Sequence, residues 1–596
     1  MKGMDDTFLH PIIVRKQTCQ SWQWMPEQAD KSSDQEYRKD GLQMSETVQG
    51  YQYIAHTLKG YGVTHLFYIE AMLRETLREL DQIGVKPIMT HTENAAGYMA
   101  DGYARISGRP GVCMAQSIGA ANLTGGIHEA WLANSPVIAF TGKKTAKFQY
   151  KNSYQEADHR LFYESITKFN AEIANPEQLP FLLRQCFREA VTGKPRPVHV
   201  DIPNESGRDT EVAVISEPIC IEEAYKKYPA FRPQAENHQV EAAAKLVDDA
   251  KRPVIVAGRG ARVSNAGDAI YQLAVKGDIP VVTSPDGKTV IDESDPLWAG
   301  IVGNYGMECA NQTVKTADLV IFIGTQTGDQ TTLNWKVPTP DVKVVQIDIE
   351  ASELGKNYPN SVGLLGDAAT VADQLAAKIS KKSRPDWRAE VTAYLKKTMA
   401  EYEPFLTSES SPIRPERLCA EISRVLPDDA VLVADTGYSA IWTATMLKMR
   451  PTQHYLRAAG SLGWAFPASL GVKCAVPDRP VICFSGDGAF YYHLSEMETA
   501  CRNGINTVTV INNNYALGQC QRSVKKIFES YPERVAAFYT FSSVDFCKIA
   551  EAFGCFAIRV EKAEDIGPAI KQALACGKPA VIEVITEQSA LTPQFR

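Results

Sequence analysis

The stretch Val481-Ile482-Cys483-Phe484-Ser485-Gly486-Asp487-Gly488-Ala489-Phe490 decides the fold when read with Val508-Thr509-Val510-Ile511-Asn512-Asn513-Asn514. Each begins as a run of strand length that is apolar at nearly every position, the pattern of a strand buried on both faces of a parallel sheet. Each then ends abruptly in polar residues, and in such sheets ligands bind beyond the carboxyl ends of the strands. Asp487 and the asparagines therefore share one rim. Gly486 and Gly488 let backbone approach a ligand closely, and a helix starting after Gly488 offers free N–H groups to an anion. Magnesium takes six hard oxygen ligands and commonly shares them with substrate phosphates. The Asp487 carboxylate, an Asn514 side-chain oxygen and a nearby carbonyl would supply the protein's half of a magnesium–diphosphate cradle.

Working outward, short apolar runs alternate with helix-like segments, which predicts parallel strands covered by helices on both faces. Three doubly wound α/β domains are expected: residues 44–215, a central Rossmann-like 235–385, and 405–596. Residues 209–239 look like a linker, and Lys381-Lys382-Ser383-Arg384-Pro385 interrupts the pattern before the third block. Residues 1–43 form a polar N-terminal extension, read as a loose tail, with Met44 a possible start.

The 596 residues exceed one core, and 63 basic against 70 acidic side chains, net -7, exclude the basic field of a nucleic-acid binder. A small-molecule partner is expected. Thirteen cysteines lie scattered in apolar stretches without metal-ligand spacing, as reduced core thiols would. No apolar run is long enough for a membrane span and no signal core heads the chain, so a cytoplasmic protein without a membrane partner is expected.

Asp487 and the asparagine 27 positions later resemble the thiamine-diphosphate motif, glycine–aspartate–glycine followed by a double asparagine. The continuation Asn513-Asn514-Tyr515-Ala516-Leu517-Gly518 resembles acetolactate synthase in phase, which implies Asn514 and the Ala516 carbonyl as metal ligands beside Asp487. By the same resemblance Gly486, Gly488, Ala489, Leu517 and Gly518 contact the cofactor, and Asn512 is an extra asparagine. The stretch from His91 to Pro136 resembles the pyrimidine-binding domain of the acetolactate synthase, pyruvate oxidase and benzoylformate decarboxylase family. Glu93 falls at that family's catalytic glutamate. It heads an Ala/Gly-rich helix just after a strand, a natural place for the buried carboxyl that thiamine activation requires. Leu462, in Gly460-Ser461-Leu462-Gly463, occupies the position of the residue that bends the cofactor, and Tyr438 and Ser439 match the segment that cups the diphosphate.

The family orders its domains as pyrimidine, central and diphosphate. It pairs chains so that the glutamate of one faces the diphosphate site of another, which implies a homodimer or homotetramer with active sites at the subunit interface. The resemblance implies decarboxylation of a 2-oxoacid, the resulting enamine passing to a carbonyl acceptor or a proton. A C–C hydrolase or lyase acting on a diketone, an FAD- or NAD-linked oxidoreductase centred on Ala257-Gly258-Arg259-Gly260-Ala261, and a non-catalytic homologue are the alternatives. The family's central domain holds FAD, ADP or nothing, and here the choice stays open.

Departures from the pattern concern the substrate. Glu70 stands where a glycine-proline-glycine turn is expected, facing either the pocket or solvent. Lys143 and Lys144 replace an expected glutamine and are read as holders of a substrate anion or as a solvated loop, with Gln155 a further substrate candidate. Gln326 and Gln330 lie where the family has an arginine. Gln519 and Ser523 replace a methionine and a tryptophan, implying a roomier, more polar acceptor site. His493 is either structural or a proton-transfer aid.

Overall fold

The computed structural model describes residues 47–593 apart from 360, so the expected N-terminal extension lies outside the described residues. Three six-stranded sheets, each parallel throughout, form the framework. The first runs, in spatial order, Lys86–Met89, His65–Tyr68, Gly111–Gln116, Val137–Gly142, Val198–Ile202, Phe169–Glu172. The third repeats that connectivity with His454–Arg457, Val431–Ala434, Val481–Gly486, Val508–Asn513, Ala580–Ile585 and Phe556–Val560. The central sheet differs: Trp298–Ile301, Val281–Thr283, Pro253–Ala257, Leu319–Ile323, Lys343–Asp348, Ser361–Leu365. Numbered along the chain this is 3-2-1-4-5-6, the doubly wound order whose crevice opens between the first and fourth strands.

The inner strands are those with continuous apolar runs; Leu319–Ile323 and Val137–Gly142 are buried at every position. The edge strands Phe169–Glu172, His454–Arg457, Phe556–Val560, Trp298–Ile301 and Ser361–Leu365 were not anticipated from the sequence. They are short, and most carry polar or half-buried residues because one flank has no neighbour. Part of the expected linker is built into the first domain. Val214–Ile215 pairs antiparallel with Val48–Gln49, following the helix Asn204–Val212. The interruption near Pro385 is a helix start, with proline in the first turn of the 22-residue helix Pro385–Leu406 that leads into the third domain.

The first and third domains of one chain lock together where helix Glu93–Ser107 crosses helix Ala465–Ala475. Backbones touch there: a Cβ on Gly102 would lie 2.2 Å from the Ala468 carbonyl oxygen. Any larger residue would force the helices apart.

Candidate active site

The sheet register sets Gly486 beside Asn512, so the two decisive motifs end at one rim. Three helices start there, at Tyr438, Asp487 and Gly518, the middle one a single turn that begins at Asp487 itself. Their ends meet: a Cβ on Gly518 would fall 3.1 Å from Asn514 Nδ2 and from the Tyr438 ring, and one on Gly486 would fall 3.5 Å from Ser439 Oγ. Gly488 and Ala489 follow in the same turn, with Gly488 packed against Leu517 and Phe541. The fold thus gathers Tyr438, Ser439, Gly486 to Ala489 and Asn514 to Gly518.

The asparagines divide their work. Asn513 is fully buried, donates to Glu583 Oε1 at 2.7 Å and accepts from the Tyr515 N–H at 3.1 Å, which commits it to structure. Asn514 Oδ1 accepts from the Ala516 N–H at 3.1 Å and retains a second lone pair. Between them Tyr515 adopts a left-handed φ of 55°, a strained conformation for a non-glycine residue that turns the chain sharply at the rim. Asp487 Oδ2 is buried without a hydrogen-bond partner, and so is Asn512 Oδ1. Burial pushes the Asp487 carboxyl up to about 7, against the backbone N–H groups of Gly488 and Ala516 that favour its anion. A buried carboxylate oxygen without a partner is costly by itself. A hard cation at this rim satisfies it, so the donor set fits magnesium.

Beside the rim, Asp435 accepts from the N–H groups of Gly463 at 3.0 Å, Ala465 at 2.9 Å and Thr436 at 2.9 Å, fixing the turn that carries the half-buried Leu462. The other side of that turn is held from the first domain. Glu129 accepts from the N–H groups of Ala459, Gly460 at 3.0 Å and Ser461 at 2.9 Å, and pairs with Arg105 at 3.1 Å. Arg105 also binds Asp101, which accepts from Trp464 Nε1 at 2.9 Å. Sequence reading missed Glu129; its signal was a lone acid in the apolar helix Ile118–Leu132. Glu129→Ala would strand three N–H groups and take one of two carboxylate partners from the buried Arg105, which keeps Asp101, and is expected to cost about 3 kcal/mol, read as a loss of denaturant midpoint.

Glu93 opens helix Glu93–Ser107 and is half-buried. Its Oε2 accepts from Asn122 Nδ2 at 3.2 Å, and a Cβ on residue 119 would come within 2.6 Å of Oε1, so glycine there is what admits the carboxyl. Ser117, with φ 51°, makes the turn that presents Gly119. Within one chain no hydrogen bond joins Glu93 to the Asp487 rim.

Known proteins bear on this arrangement. Family models described as thiamine pyrophosphate enzyme N-terminal TPP binding domain, central domain and C-terminal TPP binding domain match residues 48–161, 240–375 and 435–584. The probable acetolactate synthase large subunit of Methanocaldococcus jannaschii is 32% identical over 92% of this chain and 93% of its own. The chain belongs to the thiamine pyrophosphate enzyme family. The acetolactate synthase large subunit of Corynebacterium glutamicum is 32% identical over 85% of this chain and 81% of its own, and isozyme 1 of Escherichia coli 30% over 90% and 93%. As a thiamine pyrophosphate enzyme it is a catalyst of carbon–carbon bond chemistry, and its two TPP-binding domains are those that carry Glu93 and Asp487.

The substrate candidates of this thiamine pyrophosphate enzyme separate clearly. Lys143 is not a free cation: it is buried and paired with Glu172 at 2.7 Å and Asp201 at 3.2 Å. Asp201 also meets His159 Nδ1 at 2.9 Å, so the charge expected for a substrate anion is spent inside the first domain. Gln155 lies exposed beside Tyr154. Gln519 does reach it, with Oε1 3.1 Å from where a Gly437 side chain would begin and Nε2 donating to the Tyr305 hydroxyl at 3.3 Å. Ser523 is exposed on the same helix. Glu70 pairs with Arg74 on the surface. His493 is buried edge-on to Tyr98, and burial lowers it to about 4, so it is neutral near pH 7 and can act only as a neutral imidazole.

A cavity of about 320 Å³ opens at the central domain's switch point, lined by Arg259, Ser284, Asp286, Gln326 and Asp348 with Asn134 of the first domain and Arg457 of the third. Gln330 accepts from Arg457 at 3.0 Å, so an arginine from the third domain stands where the central segment supplies glutamine. Burial pushes the Asp348 carboxyl up to about 6. The folded chain therefore holds this proton more tightly than the unfolded chain, and Asp348's contribution to stability is present below about pH 4 and lost as pH rises to about 6. Asp348→Asn is expected to remove a pH dependence on the order of 3 kcal/mol across that window, read from unfolding midpoints.

No described helix is long and apolar enough to cross a membrane, and the described cysteines are all free.

Proposed function

We propose that the protein is a thiamine-diphosphate- and magnesium-dependent carboligase or decarboxylase of a 2-oxoacid donor. The observation that carries this reading is the partnerless, buried Asp487 Oδ2 on one rim with Asn514, in a chain whose first domain presents Glu93 at a helix start. Bound thiamine diphosphate would supply a carbon nucleophile and an electron sink next to the donor carbonyl.

The chain's own residues have distinct tasks. Asp487, Asn514 Oδ1 and the Ala516 carbonyl would hold the metal, and Tyr438, Ser439 and the helix start at Gly518 would receive the diphosphate. Leu462, with its turn clamped by Asp435 and Glu129, would support the cofactor. The Glu93 carboxyl would hold or release the proton that cofactor activation needs, with Asn122 keeping it aimed. Because Glu93 reaches no rim residue of its own chain, the complete site is assembled by a second copy, as a homodimer or homotetramer. Exposed apolar side chains near both halves, Ile118, Leu132 and Tyr492, support that pairing.

The substrate is a small 2-oxoacid, and the exposed Gln519 and Ser523 favour a polar carbonyl acceptor. The same polarity keeps cleavage of a diketone as the competing reaction. Purified protein given thiamine diphosphate, magnesium and a panel of 2-oxoacids and diketones should release carbon dioxide and form ketols. Acid products from diketones without carbon dioxide would overturn the 2-oxoacid assignment. The central cavity would suit a nucleotide, with Arg259 in its lining and Arg457 there paired with Asp286; FAD is the occupant to examine, by flavin absorbance of the purified protein.

A further inference from the structure

We propose that Cys501 and Cys555 are a redox modification site, oxidised by a hydroperoxide to a reversible disulfide that pulls on the turn carrying Glu93. Their sulfurs lie 3.5 Å apart, although the residues are 54 positions apart in the chain. Cys501 sits near the end of helix Glu496–Asn503 and is partly exposed; Cys555 is buried at the entry to edge strand Phe556–Val560. A disulfide needs sulfurs about 2.05 Å apart, so closure asks for an approach of about 1.5 Å, within reach of side-chain rotation and a small helix shift. By contrast Cys113, Cys186, Cys419 and Cys483 are buried.

The partly exposed sulfur reacts first. The Cys501 sulfur attacks the terminal oxygen of the hydroperoxide, the O–O bond breaks, Cys501 becomes a sulfenic acid, and the alcohol, or water from hydrogen peroxide, leaves. Burial and the Cys501 sulfur beside it push the Cys555 thiol up, so Cys555 is the slower, second partner. Its sulfur then displaces the sulfenic hydroxyl, forming the S–S bond and releasing water. Two thiols have lost two electrons and two protons, and the peroxide has gained them. A dithiol reductant reverses the step.

The effect on the site comes through the contacts of helix Glu496–Asn503. Glu496 is fully buried and accepts from the His91 N–H at 3.0 Å. Glu498 meets His91 Nε2 at 2.8 Å, and Arg502, next to Cys501, donates to the Met89 carbonyl at 2.8 Å. All three bonds end on residues 89–91, the link between strand Lys86–Met89 and Glu93. Drawing Cys501 toward Cys555 moves this helix end against that link.

The activity consequence rests on the proposed thiamine-dependent function, whereas the crosslink itself does not. The test treats the full-length protein with hydrogen peroxide, blocks remaining thiols and maps peptides by mass. Expected are a loss of about 2 Da, one linked peptide joining 501 to 555, and a several-fold fall in turnover, all restored by dithiothreitol. Cys555→Ser should keep its turnover under the same treatment and trap Cys501 sulfenic acid with dimedone; Cys501→Ser should form no link. Free, alkylated sulfurs at both positions, or Cys555 joined to Cys576 instead, would overturn the site. A complete 501–555 link with unchanged turnover would overturn its coupling to Glu93. Because the link is read by mass, a wrong reaction assignment would leave that arm intact.

Discussion

Glu93→Gln is expected to lower turnover by about 10²–10⁴-fold, the range that a positioned proton-transfer group contributes. Cofactor affinity should stay within a few-fold of the parent. Glutamine has the same shape, keeps an oxygen for Asn122 Nδ2 and fits against Gly119, so the packing around residue 93 survives. What it loses is the proton. The residues proposed to hold the metal and diphosphate belong to the third domain, and among the described residues none of them bonds Glu93. Calorimetry with thiamine diphosphate and magnesium should therefore show near-normal binding, while proton exchange at the cofactor's C2, followed by NMR, collapses. Full turnover in this variant would show that another group activates the cofactor.

The second large effect is the reverse in kind. Asp487→Ala should abolish measurable cofactor binding, because it would remove the anionic group proposed to hold the metal and leave the diphosphate's charge against Asn514 and backbone dipoles alone. The ligand-free protein should not suffer. Asp487 Oδ2 has no partner in the fold and its carboxyl is pushed up to about 7 by burial, so the side chain is a burden until a cation arrives. The variant should thus unfold at the parent's temperature or above it, yet show none of the upward shift that cofactor and magnesium give the parent by binding the native state. Retention of that shift would remove Asp487 from the metal site. Taken together the two variants separate activation from binding.

The inner strands and the rim were legible in the sequence because their information is local. Val481 to Phe484 and Val508 to Ile511 are apolar at nearly every position. The residues directly after each run, glycine around an acid or consecutive asparagines, state its chemistry within a few positions. Glu93 was legible for a related reason: strand, acid and small-residue helix are contiguous. The edge strands, Phe169–Glu172 and Phe556–Val560 among them, were not, since a strand with one neighbour has no need of an unbroken apolar run.

The sequence by itself determined three parallel α/β layers, the Asp487–Asn514 pair at one rim and an acid, Glu93, at the head of a small-residue helix. Only the tertiary structure decided which charges are spent inside the protein and which remain for chemistry. Lys143 reads as a free cation until the fold sets Glu172 and Asp201 against it, and Glu129 reads as one acid in an apolar helix until it meets backbone more than 300 positions away. The reason is physical: a carboxylate's role depends on the donors and the dielectric around it, and these are supplied by segments that local pattern cannot connect.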